Sequence, residues 1–179
     1  MDIRSWFRRR PVVPPAPPEP PELPPLEAWR PLVELLAEPL PEPWRSSRWA
    51  AFAAEVAAEV EHDADSWDAR AQALIGTMQH REDPDWWLVL AVDWKDGHEA
   101  VLQADALART HGVVDAYEWK GDAPPRVHDV LADFADWAHD RGLRWTWWEQ
   151  DADAYYGFLL RPERVAAFDR LAAAAGLHA

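Results

Sequence analysis

The chain has no cysteine and no asparagine, and only two isoleucines and two lysines among 179 residues. The missing thiols exclude disulfides, thiolate nucleophiles and cysteine-ligated zinc in one step. No run of about eighteen apolar residues occurs, so the sequence offers no membrane-spanning helix. The start, "MDIRSWFRRRP", is basic but lacks the apolar stretch of a secretory signal, and a cytoplasmic location is the expectation. Glycine-rich phosphate loops and Gly-x-Ser-x-Gly are missing too, and the seven histidines never fall at HxxxH or HExxH spacing. The expectation is therefore no cofactor, no metal and no assigned catalytic residue: a binding protein is the leading reading, with an enzyme kept as the alternative.

What remains is rich in Ala, Pro, Arg, Asp and Trp. GC-rich codons specify this set, which points to a GC-rich bacterial genome. Thirty-two acidic against eighteen basic residues give a formal charge of -14. Such a surface repels phosphate backbones, which excludes general nucleic-acid binding, and it suits a basic protein partner.

Residues 11–25, "PVVPPAPPEPPELPP", fix φ and lack amide donors, so they read as an extended or disordered stalk. The head before it mixes Ile3, Trp6 and Phe7 with Arg4, Arg8, Arg9 and Arg10, and can make a weak contact with an anionic membrane. A single globular domain is expected over 26–179, helical over 26–82 and α/β over 83–179. The helical part begins with "LEAWRPLVELLAEPL", interrupted at Pro31. A second helix is capped by Ser46 or Ser47 and carries Trp49, Phe52, Val56 and Val60 on one face. Ser66 caps a third.

From 85, "DWWLVLAVDW" reads as an interior strand, apolar on both faces. Asp96 and Glu99 form a capping box for a helix that stops at Gly112. "VVDAYEWK" is a second strand. Pro124 and Pro125 open a helix, with Val127, Val130, Leu131, Phe134 and Ala138 inward. "LRWTWWEQ" and "AYYGFLLR" form a hairpin, and Pro162 opens a last helix ending at Gly176. The expected class is α/β: N-terminal helices, then a βαβαββα core with a mixed four-stranded sheet. This order resembles the thioredoxin-like core in topology only, since the redox cysteines of that family are missing.

The two lysines share one setting. Asp93-Trp94-Lys95 and Glu118-Trp119-Lys120 each close an expected strand, and sixteen arginines fill every other basic position. Ligands in open α/β sheets gather beyond the carboxyl ends of parallel strands. If those strands are neighbours, Asp93, Trp94, Lys95, Glu118, Trp119, Lys120, Trp147 and Glu149 converge there. They then form either a latch of crossed ion pairs or a pocket for an anion or sugar-like ligand, with tryptophans as stacking platforms. A second candidate surface lies on the helix from Pro124. Asp129, Asp133, Asp136 and Asp140 fall at i, i+4, i+7 and i+11, one acidic stripe opposite the apolar face. It is either a solvated face or carboxylates offered to a basic partner, in the manner of small acidic inhibitor and immunity proteins.

"PDWWLVLAVDWK" and Glu-x-Lys at 118–120 also resemble the metal-dependent nuclease signature, but Asp85 and Asp93 share one strand and no basic groove accompanies them. "DADSWD" and "DADAYYGFLLRPE" start like calcium loops yet lack the sixth-position Gly and twelfth-position Glu. The "DWKDG" strand end with its following amphipathic helix resembles an uncharacterised bacterial family known only as a domain of unknown function, which implies no activity for this chain.

Overall fold

The computed structural model describes residues 24–58, 67–82, 85–121, 123–148 and 153–177. The basic head, the proline stalk up to residue 23, Ser66 and Glu149 lie outside these residues.

A 3-10 turn at Leu26–Trp29 runs directly into α1, Arg30–Leu36. Pro31 does not interrupt the helix; it occupies the first turn, where its missing amide has no helical partner to lose. α2 spans Trp44–Ala58 and starts ahead of the expected caps. Ser46 and Ser47 instead donate their hydroxyls back to the carbonyls of Pro43 (3.1 Å) and Trp44 (2.9 Å). α3 covers Trp67–Thr77.

The apolar run from 85 is not one strand. It breaks into β2, Trp86–Trp87, which pairs antiparallel with β1, Gln79–His80, and β3, Leu90–Asp93. The bend between them is pinned by the Trp87 amide on Thr110 Oγ1 (2.8 Å) and the Leu88 amide on the Met78 carbonyl (2.8 Å). α4 (Gly97–Thr110), α5 (Val127–His139), β4 (Arg144–Trp148), β5 (Ala154–Leu160) and α6 (Pro162–Ala175) complete the chain.

The main sheet has three strands in the order β3-β5-β4, and both pairs are antiparallel. The chain is thus mixed α/β, but the expected four-stranded sheet and βαβαββα order are corrected. β3 and β4 do run in the same direction, as expected of strands joined by a helical crossover, yet β5 inserts between them. Residues 113–120 form no ladder. The reason is at β3's outer edge, where α4 places Gln103, 2% exposed. Its Oε1 accepts the Ala91 amide at 2.8 Å, and its Nε2 donates to the Ala91 carbonyl at 2.9 Å. One carboxamide satisfies both backbone groups that another strand would take, which closes a sheet edge without a strand. Residues 113–120 turn back at Gly112 (φ +82°) and run along α4 instead. The Tyr117 amide donates to Asp105 Oδ1 at 2.9 Å.

Alternation along β5 divides two cores. Tyr156, Phe158 and Leu160 face α1, α2, α3 and α6 with Trp29, Phe52, Leu74 and Phe168. Leu159, with Leu90 and Val92 of β3, faces α4 and α5 with Leu107, Val130, Leu131 and Phe134. α5 opens at Val127, after an extended Arg126, and not at Pro124 and Pro125 as expected, but the five apolar positions expected inward are all buried. Gly157 leaves room for Trp145: a Cβ there would come within 2.2 Å of the indole.

Candidate functional site

The first acid-Trp-Lys string ends β3. Asp93 Oδ1 accepts the Lys95 amide at 2.9 Å, a local turn that folds the carboxylate back on its own backbone. The Trp94 ring is 50% exposed, and the Lys95 ammonium sits 4.7 Å from its centroid. Asp96 then caps α4 by accepting the Glu99 amide at 3.0 Å. Only this half of the expected capping box forms, because Glu99 Oε1 takes the Gln103 side-chain amide at 2.8 Å.

The second string is in a loop. Trp119 is half-buried against the α4–α5 core, and its Nε1 donates to the Ala123 carbonyl at 3.2 Å. Gly121 lies so close under the ring that a Cβ would approach it to 2.2 Å. Glu118 and Lys120 are exposed. Neither Lys95 nor Lys120 forms an ion pair with a described residue, so the crossed latch is not made among them. The parallel pairing that was to bring the strings together is not formed, since β3's neighbour is antiparallel β5. Trp147 is 41% exposed and packs on Trp145 (5.4 Å) and Tyr155 (5.9 Å), on β4 and β5.

Two of the expected residues, Glu118 and Trp119, do line a cleft. It measures about 420 Å³ and is completed by His98, Val101, Leu102, Tyr117 and Pro125. Leu102, 66% exposed, is an unexpected member; its outward place on α4 follows from the helical period, but its exposure does not. The start of α4 forms the floor's end: Gly97 packs on the Pro125 carbonyl, where a Cβ would lie 2.0 Å away.

The acidic stripe meets this cleft through one residue, Asp133, the partner of Tyr117. Asp129, Asp133 and Asp136 are exposed on α5, and Asp140 is exposed at its C-terminal cap. Tyr117, in the cleft wall, donates its hydroxyl to Asp133 at 2.9 Å, with the Val130 carbonyl also at 3.0 Å. Burial, followed by the Asp133 carboxylate, raises the Tyr117 pKa, so the phenol stays protonated and acts as a donor. Asp133 therefore has a structural partner. Asp129 and Asp140 lie 3.8 and 3.9 Å from the neighbouring imidazoles of His128 and His139.

No group of metal-ligating side chains occurs among the described residues, and no described helix is long and apolar enough to cross a membrane. No curated protein and no solved structure matches the chain. A family profile whose description is Domain of unknown function (DUF6630) matches residues 28–179, from the start of the helical layer through α6. The chain belongs to the DUF6630 family.

Proposed function

We propose that the chain is a protein-binding module whose α4–α5 face takes a basic partner. The observation that carries this reading is the adjacency of an apolar cleft and an acidic border, joined at Tyr117 and Asp133. Specific interfaces combine a desolvated apolar anchor with a polar rim that sets orientation and association rate. Here Leu102, Val101 and Trp119 supply the anchor surface. Glu118, Asp129, Asp136 and Asp140 supply the rim. A partner with an apolar side chain surrounded by arginines or lysines is complementary to both. The overall charge of -14 adds long-range attraction for the same partner. An inhibitor or immunity role, in which the partner's basic surface is covered, is one such use, in the cytoplasm of a bacterial cell.

The test separates this face from the bulk charge. Binding of a basic protein probe, hen lysozyme, is measured at low and high salt. The triple variant Asp129→Asn/Asp136→Asn/Asp140→Asn is compared with Glu27→Gln/Glu55→Gln/Asp169→Asn, three exposed acids elsewhere. The α5 variant is expected to slow association by about tenfold at low salt, and the control by much less. Equal losses would mean that net charge alone attracts basic proteins and that this face has no special role.

A further inference from the structure

The opposite end of the sheet holds a second cleft, lined by both arginines and glutamates. β3's last residue, Asp93, pairs with Ala154 at the start of β5, so the carboxyl end of β5 lies at the other end of the sheet from the first acid-Trp-Lys string. There β5 gives way to α6, beside α1 and the end of α4. We propose that this cleft binds a small molecule carrying one oxyanion group, a carboxylate or phosphate monoester, on a short apolar body.

The cleft measures about 430 Å³. One wall is apolar, from Leu35, Leu36 and Leu160. The other carries His111, Arg161 and Arg164. It continues into a hollow of about 440 Å³ that shares His111 and Arg161 and adds Arg141. Two of these guanidinium groups are already matched: Arg164 with Glu38 at 2.9 Å, and Arg141 with Asp115 at 3.2 Å. Arg161 makes no ion pair or side-chain hydrogen bond with any described residue. An unmatched guanidinium at the mouth of a cleft, on a chain of charge -14, is a ready partner for a planar or tetrahedral oxyanion.

His111 faces Arg161. Burial first, and then that guanidinium, push its pKa down to about 4. The imidazole is thus neutral near pH 7 and can donate one N–H to the ligand without adding charge. No side chain caps the first turn of the fourteen-residue α6, which leaves the Glu163 amide at the same rim. The charged groups facing the cleft are completed by Glu38, matched to Arg164, and Glu163, which is exposed. The Glu163 carboxylate disfavours a polyanion and limits the ligand to a single oxyanion group.

The full chain is titrated separately with inorganic phosphate and with hexanoate, following the His111 imidazole by NMR, its resonance assigned with His111→Gln. Binding is expected to shift that resonance saturably and to move its titration midpoint upward from about 4, because a nearby anion favours imidazolium. Arg161→Ala and Arg161→Gln should each weaken binding by about tenfold or more. Arg45→Ala, an exposed arginine on α2, should leave it unchanged. A response to hexanoate alone assigns a carboxylate ligand, and a response to phosphate alone a phosphate monoester. An unmoved His111 resonance at millimolar concentrations of both probes overturns the proposal. So does an equal loss in Arg45→Ala and Arg161→Ala, which would reduce the effect to bulk charge.

Discussion

Asp93-Trp94-Lys95 and Glu118-Trp119-Lys120 follow the same pattern, yet they have unlike structures. The first ends a strand held by β5 on one side and by the Gln103 carboxamide on the other. Its Trp is exposed, and its Lys lies over that Trp's ring. The second sits in a loop whose backbone is held by α4, with its Trp folded over Gly121 and its Lys in solvent. What differs is not the tripeptide but the partner available to its backbone. β5 pairs with β3 on one side, and Gln103 fills the position on the other where a second strand would have hydrogen-bonded.

The most severe way to disturb this arrangement is Gly97→Ala. Gly97 joins the two halves, following the first string and packing on Pro125 after the second. The added Cβ meets backbone rather than a movable side chain, and a loss of about 3 kcal/mol is expected, read from the denaturation midpoint. Gln103→Leu comes next. It fills the site with a side chain of similar size but strips both Ala91 backbone groups of their partner, for an expected loss of about 2 kcal/mol. If its stability is unchanged, and amide exchange shows new protection across 113–120, the second segment has taken up pairing with β3 and Gln103 is not what excludes it.

Tyr117→Phe tests the anchoring of the loop to α5. Removing the hydroxyl from Asp133 and the Val130 carbonyl should cost about 1 kcal/mol by thermal melting, with amide exchange rising between 114 and 120. The smallest effect separates the two lysines themselves. Lys95→Ala should lose about 0.5 kcal/mol with the cation–π contact, and should change Trp94 emission. Lys120→Ala should have no measurable effect on stability. Equal effects of the two substitutions would make the strings equivalent after all.

Much of the local structure was legible in the sequence. Helix stops at Gly112 and Gly176, the Asp96 cap, Pro162 at the start of α6, the buried face of α5 and the β4–β5 hairpin all follow from backbone and periodicity rules that act within a few residues. The stripe Asp129–Asp133–Asp136–Asp140 was legible for the same reason. "VVDAYEWK" was not, because its β-forming composition describes a preference and says nothing of a vacant edge. Nor did any spacing announce that Leu102 would border a cleft with Trp119, or that His111 and Arg161, fifty positions apart, would share one.

By itself, then, the sequence settled where helices start and stop, which faces are apolar, and the sign of the surface charge, since each depends on neighbours along the chain. Strand order, the carboxamide that closes β3, and the two clefts were decided only in three dimensions. Backbone donors and acceptors are satisfied by whichever group arrives in space, and a glutamine from a helix serves as well as a strand.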